Sequence, residues 1–375
     1  MVTATAAGAY QELRSLQAQG RLYSLDLFRG LTIAAMIVVN NQSSTSAFWP
    51  LRHAKWNGWT PTDLVFPFFL FMVGVSLVFS FRSRLTRGET RRALVLHSLW
   101  RSLLLFAIGL GLNALAALQT GTWRIPGVLQ RIAVVYCAAA LIVLFSKTRT
   151  QVAWIFVLLA GYWIVMRFVP VPGFGMPLRD IPLLHPDGNL AAHLDRKLLM
   201  GHLWEGTRDP EGLLSTFPAV GTALCGVLAG KWLCSGHSAE RKLAAMFGFG
   251  VAAIAAGELW GLWFPINKNL WTSSYVLFTA GFALIVLALC FWITDVRQQR
   301  GVWTKPFVIL GTNALAGYVL SELLGGGLVW MDYSFFETVR RGLPALGALL
   351  HSLVVLLLCF VPLWWLYRRK IFLKV

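Results

Sequence analysis

The chain has 375 residues, of which 57% are hydrophobic and 13% charged, with a formal net charge of +17. A soluble globular domain carries about a quarter charged residues, so the composition excludes one and points to a polytopic membrane protein. The positive excess is scattered over short connections and forms no basic domain able to read a groove, which excludes a nucleic-acid partner and leaves anionic lipid headgroups as its counterpart.

Lipid admits only helices or closed barrels, because every backbone polar group needs an internal partner, and alternating ten-residue strands are absent. The expected fold is therefore all-α, a transmembrane bundle of about ten spans. Residues 1–20 lack a compact apolar core and a cleavage site and read as a cytoplasmic leader; 21–375 read as one transmembrane domain. Spans are predicted near 22–42, 61–81, 93–117, 127–146, 152–169, 213–233, 244–264, 272–294, 306–328 and 345–367. For the ninth, an early end at Gly325-Gly326-Gly327 is the alternative to the full span. Between the fifth and sixth lies one long irregular stretch, 170–212, rich in Pro, Gly, His and Asp, which reads as an outer-face lid or binding loop. Basic residues mark the inner side. Arg82, Arg84, Arg87, Arg91, Arg92, Lys147, Arg149, Arg297, Arg300, Arg368, Arg369 and Lys370 fall on one set of connections, against Arg52, Lys55, Arg124, Lys268, Arg340 and Arg341 in the short connections of the other. The bias places both termini in the cytoplasm. Cys137, Cys225, Cys290 and Cys359 fall inside spans, so neither a disulfide framework nor a metal site is expected.

Ionisable groups inside spans are costly and mark candidate sites. Asp26 and Arg29 lie three apart at the start of the first span, where they form either a structural ion pair or a guanidinium presented to the bundle interior. Asn40 and Asn41 end that span and suit either a substrate carbonyl or a helix cap. Arg52-His53-Ala54-Lys55-Trp56-Asn57-Gly58-Trp59 follows, holding an imidazole with amide and indole neighbours at the bundle rim. Unperturbed imidazole titrates near pH ~6.5 and can take a proton and return it; the plainer reading is a loop histidine packed on interfacial tryptophans. Thr60-Pro61-Thr62-Asp63 resembles a helix-capping sequence, a role compatible with Asp63 orienting His53. Arg124 through Arg131, with Gln130, opens the fourth span as an anion-binding helix start, with Arg124 equally suited to anchoring at the interface. Glu211 and the polar turn Asn267-Lys268-Asn269 suit a hydroxyl-rich ligand on the outer face, and Asn313 and Glu322 place further polar groups in the ninth span.

In sequence order, Ser24-Leu25-Asp26-Leu27-Phe28-Arg29-Gly30, His53 through Pro67, Arg124 through Arg131, Asp209 through Thr216 and Asn267 through Val276 resemble blocks of the heparan-alpha-glucosaminide N-acetyltransferase family, over about residues 21–325. The resemblance implies transfer of an acetyl group from cytoplasmic acetyl-CoA to a glucosamine amine on the far side of the membrane. His53 matches the family's active histidine and Asn40 an asparagine near it; with Asn57 and Asp63 they form the expected catalytic set. Asp26, Arg29, Arg124, Gln130 and Arg131 are expected to hold acetyl-CoA, and Glu211, Asn267, Lys268, Asn269, Asn313 and Glu322 to meet the acceptor. Implied partners are acetyl-CoA, an amino sugar or glycan, the bilayer of a bacterial cytoplasmic membrane and a second copy of the chain in a homodimer. Two rivals stand beside this: an O-acyltransferase acting on surface glycan hydroxyls, and a small-molecule transporter, which would call for paired interrupted helices in two related halves.

Overall fold

A computed structural model describes residues 22–42, 47–328 and 342–373. The expected leader at 1–20, and Arg340 and Arg341, lie outside these residues. The described chain is helical, with no strand beyond isolated bridges in the long connection. In order come α1 (Tyr23–Asn40), α2 (Val65–Thr86), α3 (Arg91–Thr120), α4 (Val128–Phe145), α5 (Thr148–Phe168) and α6 (Leu190–Leu199). They are followed by α7 (Thr216–Leu233), α8 (Ala239–Gly261), α9 (Ser273–Phe291), α10 (Lys305–Thr312), α11 (Ala314–Leu328) and α12 (Pro344–Arg368).

Among the described residues, 8 helices are long and apolar enough to cross a bilayer, and 9 if α10 and α11 count as one broken span. The sequence predicts about ten. The difference is α7, whose 18 residues include Gly221, Gly226, Gly230 and Lys231 and stay outside the apolar set. Twelve of the 18 residues of α7 are buried, so most of its side chains answer to protein neighbours rather than to lipid. The ninth span also departs from expectation. Its glycine triplet does not end the helix, which runs to Leu328; the chain instead bends by 86° at Asn313. Within the long connection, a ten-residue helix forms where only loop was expected: Asn189 caps α6 by accepting from the Ala192 amide at 2.9 Å, and Leu190, Ala191 and Ala192 bury one face.

The helices form two compact units. One holds the described residues up to Ala54, Trp59–Phe69 and the described residues from Ile285; in it α1 packs on α10, α11 and α12. A Cβ built on Gly30 would stand 1.6 Å from the Phe307 carbonyl oxygen, and one on Gly311 2.0 Å from that of Asp26. The two glycines therefore admit each other's backbone, the close approach by which helices associate where lipid gives no hydrophobic drive. The other unit holds Lys55–Gly58 and Leu70–Leu284, with α7 packed on α4, α5 and α8. There Gly74 faces the Ala223 carbonyl and Gly226 that of Phe71, with Cβ distances of 1.8 and 1.9 Å.

Replacing Gly226 or Gly30 with leucine is expected to lower the thermal midpoint of the purified protein, at a cost of roughly 1–3 kcal/mol or more from overpacking. Gly248→Ala, where an added Cβ meets nothing within 4 Å, is expected to leave the midpoint unchanged or slightly raised. Differential scanning of the three variants in one detergent checks the contrast.

Candidate active site

His53 and Asp63 meet in the first unit. After a short 3-10 turn at Trp49–Leu51 the chain runs extended through Arg52, and Pro61–Leu64 forms a second 3-10 turn that leads into α2. Asp63 is the third residue of that turn and completes a capping box with Thr60. Its carboxylate is 1% exposed and is met from several sides. His53 Nδ1 lies 2.7 Å from Oδ1, while the amides of Ala54 and Thr60 each donate to Oδ2 at 3.0 Å and Thr60 Oγ1 sits at the same distance. An ionised carboxylate only accepts, so Nδ1 carries the proton and Nε2 holds the lone pair. The imidazole side chain is 50% exposed while its partner is sealed. The arrangement pairs a half-exposed imidazole of fixed tautomer with an inaccessible acid.

The rest of the first unit distributes the other expected residues. Asp26 is buried and pairs with Arg29 at 3.3 Å on the first turns of α1. Asn40 is exposed at the last residue of that helix. Its neighbour Asn41 is the engaged amide, donating to the Ile37 carbonyl at 2.8 Å and to Ser321 Oγ at 3.0 Å. Glu322 is exposed on α11. Asn313 differs from expectation: it is 1% exposed, and its amide donates to the Ile371 carbonyl at 3.1 Å while its oxygen accepts from the Leu373 amide at 2.9 Å. With both ends used on backbone, Asn313 fastens the C-terminal segment to the helix break and has little left for a substrate.

In the second unit the 55–58 segment is tied down at three points. Trp56 Nε1 donates to the Leu184 carbonyl at 2.7 Å, Asn57 Oδ1 accepts from Asn267 Nδ2 at 3.1 Å and the Gly58 amide reaches the Ile266 carbonyl at 2.8 Å. Asn267 is fully buried, and its oxygen also accepts from the Leu270 amide at 2.9 Å. It organises the turn rather than facing an acceptor; Lys268 and Asn269 are half-buried beside it, Asn269 on the wall of a small cavity with Trp56 and Asp195.

Arg124 and Arg131, expected to hold phosphates, meet carboxylates and carbonyls of the chain instead. Arg124 grips Asp209 through Nε at 2.8 Å and Nη2 at 2.5 Å and also reaches Glu211. Arg131 is 2% exposed; Nη2 donates to the Gly212 carbonyl at 3.1 Å and to Ser215 Oγ at 2.5 Å, and the guanidinium lies 5.1 Å from the Trp271 ring centroid. Gln130 donates to the Ile125 carbonyl at 3.1 Å. Bidentate pairing spends the charge of Arg124 inside the fold. Burial works against its protonated form, but Asp209 and Glu211 outweigh that and hold the guanidinium well above its ordinary range. Burial likewise opposes ionisation of Glu211, yet Arg124 and Arg131 bring its carboxyl below the ordinary value. Asp195 on α6 goes the other way: burial, with Asp209 adding to it, pushes its carboxyl up to about 6 even though the Leu213 amide donates to it at 2.9 Å.

Residues 21–259 match the model of the family described as "Heparan-alpha-glucosaminide N-acetyltransferase, catalytic". The chain is also similar to the heparan-alpha-glucosaminide N-acetyltransferase of Homo sapiens, at 32% identity over 418 aligned positions covering 95% of this chain and 60% of the relative. Its similarity to the Mus musculus protein of that name is 31% over 421 positions, with 98% and 62% covered. The chain belongs to this family. It spans about three fifths of the length of these two relatives. The matched stretch contains His53, Asp63, Arg124, Arg131 and Glu211.

The structure also brings forward groups that reading the sequence for candidates passed over. Asp295, fully buried on the π-helical turn Trp292–Val296, accepts from the Ser24 amide at 3.1 Å and from Arg300 at 3.3 Å, and so caps the start of α1. An acid at the very edge of a predicted span was the available signal. Asn41 gave only the same ambiguous signal as Asn40, since nothing local says which amide turns inward.

Asp195→Asn keeps the acceptor for the Leu213 amide and removes the charge. Because the folded-state carboxyl is raised above its unfolded value, ionisation of Asp195 opposes folding above about pH 6 and ceases to do so below about pH 4. The variant is therefore expected to raise the thermal midpoint at pH 7.5 and to leave it nearly unchanged at pH 4, which melting curves at the two pH values check.

Proposed function

We propose that the chain is a transmembrane acetyltransferase that moves an acetyl group from cytoplasmic acetyl-CoA to the amine of an amino sugar or glycan on the outer face, with His53 as its base. The reading rests on family membership together with one observation, the 2.7 Å contact between His53 Nδ1 and the sealed Asp63 carboxylate. With α7 counted as a tenth, protein-buried crossing, the basic connections support an N-in, C-in orientation in a bacterial cytoplasmic membrane, which puts His53 on the acceptor's side.

In the step this supports, Nε2 of His53 takes a proton from the acceptor amine as its nitrogen attacks the thioester carbonyl. The tetrahedral intermediate then collapses: the carbon–sulfur bond breaks, the imidazolium returns the proton to the departing thiolate, and the products are an acetamide and free CoA. Asp63 stabilises the imidazolium and fixes the ring. A route through an acetyl-imidazole, formed and discharged at the same nitrogen, uses the same geometry. Arg29, with Asp26 beside it at the head of α1, is the guanidinium we assign to the CoA phosphates. Arg124 and Arg131 are better assigned to holding the outer connection in place, with Glu211 as their counter-ion. Asn40 stays as a candidate donor to the tetrahedral oxyanion, and Glu322 as a candidate contact to the acceptor.

Purified protein given acetyl-CoA and a panel of amino sugars and sugar alcohols is expected to release free thiol with amines; release with alcohols alone would reassign it as an O-acyltransferase, and no release with either would remove the enzymatic reading. His53→Ala is expected to lower turnover by about 10²–10⁴-fold, the range of one general acid–base group, with membrane insertion intact. Unchanged turnover in that variant would take His53 out of the mechanism. Asp63→Asn is expected to impair turnover too, because an amide can donate to Nδ1 and so favours the wrong tautomer.

A further inference from the structure

The last turns of α5 and α8 in the second unit leave a groove of about 580 Å³ between them, bounded by Trp163, Arg167, Phe168, Trp260, Trp263 and Leu277. That volume lies within the range of about 300–1,000 Å³ typical of small-molecule sites. The groove sits where α5 enters the long 169–215 connection and α8 enters the 262–272 turn, the level at which a helix end leaves the hydrocarbon. Its wall is aromatic and aliphatic with one charge.

The Arg167 guanidinium rests over the rings of Trp163 and Phe168, 5.8 and 5.6 Å from their centroids, and pairs with no carboxylate among the described residues. Tryptophan and arginine at a helix end are ordinary interfacial anchors. Here, however, the guanidinium lines a concave apolar space of ligand size rather than a flat rim.

We propose that the groove is a binding site for one anionic phospholipid. Its acyl chain lies along Trp260, Trp263 and Leu277, and its phosphate meets the Arg167 guanidinium. Arginine presents a fork of donors suited to phosphate, and an apolar channel open to the bilayer selects a chain rather than a soluble anion. The site is independent of the acetyl-transfer reading and would exist whatever the chain catalyses.

The probes are phosphatidylglycerol and phosphatidylcholine, offered in equal amount to the full chain in neutral detergent, with retained lipid counted by native mass spectrometry. Wild type is expected to keep one phosphatidylglycerol in preference to phosphatidylcholine. Arg167→Gln is expected to reduce that preference roughly fivefold, the effect of one basic side chain at an anionic surface. Ala256→Trp, on the wall of the groove, is expected to abolish retention of both lipids while the thermal midpoint in lipid-free detergent stays at the wild-type value. Equal retention of the two lipids by wild type would overturn the proposal, as would undiminished phosphatidylglycerol on Ala256→Trp. Displacement of the lipid by glycerol phosphate alone would overturn the role of the acyl chain. A change of oligomeric mass in Ala256→Trp, with no lipid lost, would assign the groove to contact between copies instead.

Discussion

A buried carboxylate survives in an apolar interior only when donors surround it, since desolvation costs several kcal/mol per ion before any partner repays it. Asp63 meets that condition with the Ala54 and Thr60 amides, Thr60 Oγ1 and the His53 ring. One side chain thereby caps the approach to α2, folds 52–54 back on 60–63, and sets which ring nitrogen of His53 carries the proton. Removing the acid would free the loop and the imidazole at once.

The same requirement recurs with other partners. Asp295 is satisfied by the Ser24 amide, Thr294 and Arg300, and in return it closes off the unsatisfied amides at the start of α1. Asp209 is satisfied by Arg124 and by the amides of Trp204 and Glu211, so a connection of more than forty residues is pinned near its C-terminal end. In each case the acid ties together segments far apart in the chain. These ties give the irregular parts of a helical membrane protein a fixed shape, which helix packing alone leaves undetermined.

The helices themselves are held differently. Reciprocal glycine contacts, Gly30 with Gly311 in one unit and Gly74 with Gly226 in the other, let backbones approach where any side chain would intrude. The head of α1 shows both devices at once. Gly30 admits α10, while Asp26 pairs with Arg29 on the same turns, so the Asp-Leu-Phe-Arg-Gly stretch serves packing and charge placement together.

Much of this was legible in the chain. Nearly every predicted span lies within a few residues of a helix, because an apolar run of about twenty residues has few alternatives in lipid. The pairing of Asp63 with His53 was within reach as well, since the two are ten residues apart and joined by a capping turn. The break at Asn313 was not, because the groups its side chain meets there, the backbone of Ile371 and Leu373, lie some sixty residues away. Nor could the sequence show that Arg124 is consumed by Asp209 and Glu211. A motif gives the type of charge a position carries, but whether that charge is offered to a ligand or spent inside the fold depends on which distant carboxylate arrives within reach. Only the tertiary structure decides that, because a guanidinium already held by two acids has little left with which to bind a third anion.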